Sequence, residues 1–478
     1  MKERHIALSE EDKKIRPFLI HNHSDRSNFR LRDATNKPED IIDEAVKKGL
    51  SGIVLSDHET LAGSYTFWKH YEKQKKNGNL PDYFTVGIGN EIYLIDKSSL
   101  ELVGNNEKVR YNHFLLLAKN QRGYDFLKKQ SSLAWKNSYF YRGMERVPTY
   151  KDELAELMKE YKGDIIASSA CLGGELPQYI LELEKATIEE NAKEVTEVKQ
   201  KMHEFINYLI DVFGKDDIYF ELQPSKFEEQ LIVNKWLLKI GKAYDIKCII
   251  TTDAHYLSKD QAEFHKQYLT AEEGEREVEA FYSTTYIFSY EELLEYFNKE
   301  LLEELIYNTN EIKLKTDDIK FAKDTEIPVA HIPDVLEKED EVKYSIDNMV
   351  DFEKYPHIQQ MYESDKLINK YYCHLVFQGM LEKNEQFNHE NLERIDTEFD
   401  VVLAISYQIN QDMASYFVLM REFVFLMWQI SLVGVSRGSA ACFYTNYLID
   451  IVQINAIKYN LPYWRFLNKT KVGEWPDK

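Results

Sequence analysis

Cysteine is scarce in this sequence, and the few present stand apart. Cys171, Cys248, Cys373 and Cys442 are the four in 478 residues, and none forms a CxxC pair. That spacing excludes a disulfide framework and a zinc ribbon, and it points to a reduced, cytoplasmic setting. Long apolar runs are missing as well. None approaches the ~18–20 residues of a membrane span, so no membrane is expected as a partner. The opening residues, MKERHIALSEEDKK, are charged and lack the apolar stretch of a secretory signal. Basic residues are outnumbered, 60 against 81 acidic, for a net charge of −21. Phosphate contacts draw on Lys and Arg, so this balance disfavours a chain wrapped in nucleic acid and leaves room for a local basic channel.

What is present is enough apolar material, 44% of residues, for packed cores. The length implies two to four domains. Short apolar runs recur at 17–20, 52–56, 84–89, 113–118, 164–168, 217–222 and 247–252. Helical stretches lie between most of them, for example 151–161 and 189–213. One opens at Asn36-Lys37-Pro38-Glu39-Asp40, with proline and acids in its first turn and Ile41, Ile42, Ala45 and Val46 as its apolar face. Strand then helix, repeated, predicts an α/β fold with a parallel sheet or barrel over residues 1–275. Residues 276–345 read as a connector, and 346–430 as mostly helical.

The polar residues gather at the strand ends. His21 and His23 follow the first run, Asp57 and His58 the second, Glu91 the third. His113 begins its own run. Cys171 comes just after 164–168, and Asp253 and His255 follow the last. Barrels of this kind build their sites at the C-terminal ends of strands. His, Asp, Glu and Cys are the side chains that ligate transition metals. In HxH and DxH, residues i and i+2 share a face and can point into one mouth. One such histidine is usually structural; two pairs with four more donors are not. Asp57 reads either as part of the chemistry or as a residue orienting a ligand. The catalytic candidates are His21, His23, Asp57, His58, Asp253 and His255.

These stretches, HNHS, SDHETLAG, GNEIYL, NHFLLLAKNQRGYDFLKKQSS, SSACLGGELP and TTDAHYLSKDQAEFH, resemble the successive motifs of the PHP (polymerase and histidinol phosphatase) domain. Their wording is similar to that of bacterial C-family replicative polymerases, the DNA polymerase III alpha subunits. The resemblance implies a distorted βα barrel that holds a cluster of three divalent metals. The implied ligands are His21, His23, Asp33, His58, Glu91, His113, Cys171, Asp253 and His255, with Asp25 competing for the place given to Asp33. Cysteine and imidazole suit Mn²⁺ or Zn²⁺ better than Mg²⁺. It further implies phosphoester hydrolysis that removes nucleotides from a DNA 3′ end.

A second resemblance covers SLVGVSRGSAACFYTNYLIDIVQINAIKYNLPYWRFLNKTKVGEWPD, which is similar to the palm segment of the same polymerases. Arg437, Gly438 and Ser439 match its GRGS turn, implied to contact a nucleotide triphosphate. A charged fork and free backbone N–H groups suit phosphate oxygens. Val435-Ser436 and Cys442 depart from the family wording. The paired aspartates of the polymerase site are not found, and Asp477 would be at most the edge of it. Residues 346–478 are therefore expected to be a helical region and an incomplete palm. The expected function is the N-terminal portion of a replicative polymerase with a hydrolytic PHP domain, using DNA and a second polypeptide as partners. A non-catalytic assembly subunit and a stand-alone PHP phosphatase are the alternatives.

Overall fold

All seven apolar runs become strands. The computed structural model describes residues 15–29, 32–271, 282–321 and 326–470. In chain order its strands are β1 (Phe18–Leu19), β2 (Gly52–Leu55), β3 (Thr85–Ile95), β4 (Asn112–Ala118), β5 (Tyr139–Tyr141), β6 (Met144–Arg146), β7 (Pro148–Tyr150), β8 (Ile165–Ser168), β9 (Ile218–Leu222) and β10 (Lys247–Ile250). One sheet runs β1-β2-β3-β4-β8-β9-β10, with β7 on the far end of β3, and β5 pairs β6 separately. The short strands β5 to β7 were not foreseen.

The sheet is nearly closed. Asn22 and Ala254 form a parallel bridge beyond β1 and β10, with His23 N donating to Ala254 O at 2.9 Å and Ala254 N to His21 O at 3.2 Å. Side-chain alternation then sorts residues to two faces. Phe18, Ile20, Val54, Leu115, Leu117, Ile166, Tyr219 and Ile249 form one apolar cluster. Their neighbours Leu19, Ile53, Leu55, Leu116, Ala167, Phe220 and Ile250 belong to another, packed with the surrounding helices.

Strand direction departs from the all-parallel reading. β4 runs antiparallel to both β3 and β8, while β1, β2 and β3 are parallel, as are β8, β9 and β10. The reversal explains why His113 starts its strand where the other candidates end theirs. The N-terminal end of an antiparallel strand lies at the C-terminal end of its neighbours. β3 also continues to Ile95, so Glu91 lies within the strand rather than after it.

The helix Pro38–Lys47 begins with proline in its first turn and buries Ile41, Ile42 and Ala45. The stretch 189–213 is largely the helix Ala192–Phe213, preceded by Glu175–Ile188. The chain divides into two units, Met1–Ala322 and Lys323–Lys478. The stretch read as a connector over 276–345 therefore splits between them, and the expected boundary near 275 lies outside the described residues. The helix Lys299–Lys315 closes the end of the barrel opposite the strand C-termini. Its Asn308 Nδ2 donates to Cys248 O at 2.8 Å, and Lys313 Nζ to Ser51 O at 2.9 Å.

The second unit is helical, with no strand among its described residues. The helices Leu367–Glu382, His389–Ile409 and Met413–Ile430 share a core of Tyr372, Phe377, Phe399, Val402, Phe417, Phe443 and Tyr444. Met413–Ile430 is, by length and composition, the one described helix apolar enough to cross a membrane, which inspection of apolar runs did not anticipate. Its first turns bury Met413, Ala414, Phe417 and Val418. Arg421 and Glu422 sit at its middle, where charges cost about 2.5–3.5 kcal/mol each in a bilayer for Arg or Asp. Both features argue for packing against protein.

Candidate metal centre

Above the apolar layer of the barrel lies a polar one, and above that a rim of donors. Along β2 the same parity carries Val54, Ser56 and His58. Along β9 it carries Tyr219 and Glu221, and along β10 Ile249, Thr251 and Asp253. Glu91 pairs across to Leu115 in the β3–β4 register, and Tyr93 to His113. The barrel bridge brings the HxH and DxH pairs together across more than 200 residues.

The structure gathers all nine expected ligands. His21 Nε2 lies 3.2 Å from Glu91 Oε1 and 3.2 Å from Asp253 Oδ1. His23 Nε2 is 3.0 Å from Asp253 Oδ1 and 3.5 Å from Glu91 Oε2. His58 bridges two carboxylates, with Nδ1 2.6 Å from Glu91 and Nε2 3.1 Å from Asp33. His113 Nδ1 is 3.0 Å from Glu91 Oε1 and 3.6 Å from Cys171 Sγ. His255 Nε2 is 3.7 Å from Asp33 Oδ2. Three overlapping groups could each hold a metal ion: His23, His58 and His255; His21, His23 and Asp253; His58, Glu91 and His113. Asp25, the competitor of Asp33, instead faces Arg26 at 3.5 Å and is partly exposed.

The donor set fits divalent cations. His21 Nε2, both ring nitrogens of His58, Glu91 Oε2 and Asp33 Oδ1 are buried without a hydrogen-bond partner. Buried polar atoms are normally paired, so five orphans aimed into one cluster mark a place for a cation. Burial favours neutral imidazoles, while the carboxylates oppose it. His23 is pushed down to about 3 by burial and then by the His58 charge. For His21, Glu221, Asp253 and Glu91 outweigh burial and raise the pKa well above the usual value. Asp33 and Glu91 are held well below the usual carboxylate range, burial being outweighed by neighbouring histidines. Burial raises the Cys171 thiol.

Asp57 stands apart from the donors. Its Oδ1 accepts from Ser24 N at 2.7 Å and Ser27 Oγ at 2.9 Å, and its Oδ2 from Ser24 Oγ at 2.9 Å. It therefore ties down the loop that carries His23 and is not one of the converging groups. Burial raises its pKa to about 6 despite these bonds. Sequence reasoning missed Glu221, whose Oε2 lies 2.8 Å from His21 Nδ1. A single acid inside the apolar strand IYFEL was the signal available.

In the second unit, Arg437 and Gly438 are exposed and Ser439 is half-buried. Gly438 has φ +67°, a left-handed conformation that glycine adopts without strain. The turn is anchored from behind. Arg394 donates to Cys442 O and, at 2.9 Å, to Leu461 O. Buried Glu398 accepts from Tyr444 N and Thr445 N, each at 2.8 Å. Cys442 is buried in this corner, so its departure from the family wording fills packing space. Asp477 and residues 471–478 lie outside the described residues.

A barrel with histidine, carboxylate and thiol donors on one rim is the architecture of the PHP class, and the PHP domain model matches residues 20–225. The model of the bacterial DNA polymerase III alpha NTPase domain matches residues 358–477. The chain is 36% identical over 471 residues to Probable DNA polymerase YorL of Bacillus subtilis and to the DNA-directed DNA polymerase of Bacillus phage SPbeta, over 94% of this chain and 35% of each relative. It is 30% identical to the DNA polymerase III subunit alpha of Borreliella burgdorferi, over 95% of this chain and 34% of the relative. The chain carries a PHP domain and a bacterial DNA polymerase III alpha NTPase domain, and it is similar to an N-terminal part of DNA polymerase III alpha subunits. It spans about a third of the length of these relatives.

Proposed function

We propose that the barrel of this chain is a metal-dependent phosphoesterase of the 3′–5′ exonuclease type, acting on DNA during replication in the cytoplasm. The convergence of nine donors on one rim, eight of them buried and His113 half-buried, carries the reading. His21, His23, Asp33, His58, Glu91, His113, Cys171, Asp253 and His255 would hold up to three divalent cations, best suited as Mn²⁺ or Zn²⁺, which would supply an acidified water and neutralise charge on a scissile phosphate. The protein's own part is to fix the donors. The Ser24–Asp57 and Ser27–Asp57 bonds hold the His23 loop, and barrel closure sets His21 and His23 against Asp253 and His255. The purified chain, incubated with 3′-end-labelled single-stranded DNA with and without Mn²⁺, is expected to release label. A His21→Ala/His23→Ala variant should release none. No release by a folded, metal-loaded wild type refutes hydrolysis.

The second unit supports a further role in assembly. We infer that it is a palm segment whose Arg437, Gly438 and Ser439 meet nucleotide phosphate once a polypeptide corresponding to the rest of the relatives' length is docked. The supporting observation is the exposed apolar C-terminal end of the helix Met413–Ile430 and the residues after it, with Phe423, Phe425, Leu426, Met427, Trp428, Ile430 and Leu432, the last two 85% and 94% exposed. Apolar surface of this extent marks an interaction face. Adding such a polypeptide should give primer extension, and Phe425→Asp/Trp428→Asp should abolish it. Extension that survives the double variant refutes docking at this face.

A further inference from the structure

His21 spans two layers of the barrel. Its Nε2 faces Glu91 and Asp253 at 3.2 Å each and is buried without a hydrogen-bond partner. Its Nδ1 points the other way, 2.8 Å from Glu221 Oε2. Glu221 is buried on β9, and every contact it makes is with a donor. Ser168 Oγ donates to Oε1, and Thr251 Oγ1 donates to Oε2 at 2.7 Å. The Glu221 backbone N–H is held by Ser169 Oγ at 2.9 Å.

An ionised carboxylate only accepts. A ring nitrogen bonded to it must carry the proton, so the lone pair of the imidazole is left on the opposite nitrogen. We propose that Glu221 is a positioning residue for the cluster. By accepting the Nδ1 proton it fixes His21 in the tautomer that aims the Nε2 lone pair at the His21, His23 and Asp253 group. Ser168 and Thr251 hold the carboxylate in place for this. A histidine so oriented is also the more basic ligand, and loss of such a partner typically weakens metal affinity about 10–100-fold. The proposal rests on the metal reading above and adds a residue outside the nine donors.

The test uses Mn²⁺ alone, titrated calorimetrically into the metal-free full chain, with the ¹⁵N resonances of the His21 ring read before metal is added, at a pH high enough for the ring to be neutral. Wild type is expected to bind Mn²⁺ and to show a protonated Nδ1. Glu221→Gln is expected to weaken one site about 10–100-fold, to leave the others unchanged, and to lose the single-tautomer signature. If that variant does not fold, Thr251→Val, which removes one support of the carboxylate, is expected to show the same changes in smaller measure. Wild-type Mn²⁺ affinity in a folded variant overturns the proposal, and so does a loss of affinity with the His21 tautomer unaltered. A wild type that binds no Mn²⁺ overturns the metal reading itself, and the positioning role with it.

Discussion

His58 Nδ1 lies 2.6 Å from Glu91 Oε2, and both atoms are buried without a hydrogen-bond partner. Glu91 also faces His21, His23 and His113, so it is the hub of the cluster. Such a set is better satisfied by cations than by itself. A ligand present at 100 times its dissociation constant stabilises the folded state by about 2.7 kcal/mol. Chelation of the metal-loaded protein should therefore lower the thermal midpoint of the Met1–Ala322 unit by several degrees, and Mn²⁺ or Zn²⁺ should restore it. In Glu91→Gln the chelator should have little effect. Differential scanning calorimetry with and without chelator checks this.

Asp57 should matter without touching metal. Asp57→Asn places an amide among three donors and leaves at least one buried group unpaired, at a cost of about 1–3 kcal/mol. Gly63→Ala should act at the same point, since a Cβ there would lie 2.6 Å from Asp57 Oδ2 and 2.9 Å from Leu55 Cδ2. Denaturant unfolding of each variant measures the loss. Stability equal to wild type in both would remove Asp57 from the loop-holding role.

Glu398 is the corresponding anchor of the second unit. Its Oε1 meets Arg394 Nε at 2.6 Å, and its oxygens accept from the amides of Tyr444 and Thr445. Glu398→Ala strips partners from a largely buried arginine and two buried N–H groups. Breaking such a pair costs about 3–5 kcal/mol. Hydrogen exchange should accelerate at Tyr444 and Thr445 first. Glu398→Gln, which keeps one strong acceptor, should lose less.

His374 gives the second unit a pH dependence. Its Nε2 donates to Glu337 O at 2.9 Å, and burial lowers its pKa below the usual 6.5 of an imidazole, against raising effects from that hydrogen bond, Glu339 and Gln378. The unfolded chain therefore binds more protons than the folded one below that value. Stability is full above about 6.5 and falls as the pH drops through the window beneath it. Urea midpoints of wild type and His374→Gln, compared between pH 7.5 and 5, should converge toward the acid end. Parallel pH profiles would exclude His374 as the source.

The legible part of this chain was local. Short apolar runs announced β1, β2, β3, β4, β8, β9 and β10, and i, i+2 spacing announced that His21 and His23, and Asp253 and His255, share a direction. What the spacing could not convey was which strand reverses. β4 is antiparallel because of its neighbours, and only that places His113 on the rim. Residue patterns left Asp25 and Asp33 open, because the choice depends on the path of a loop that turns back toward His58 and His255. Glu221 was invisible as a partner of His21, because 200 residues separate them.

By itself the sequence determined the elements and the donor types, since strand and helix periodicity and ligand chemistry are written residue by residue. The tertiary structure alone decided the centre. Closure of the sheet at Asn22 and Ala254 turns separate strand ends into one rim, and burial there crowds imidazoles against carboxylates in groups that could hold a metal ion. It also decided that the C-terminal turns of the helix Met413–Ile430 stay uncovered while its first turns are buried, because an apolar residue is core or interface only according to what packs against it.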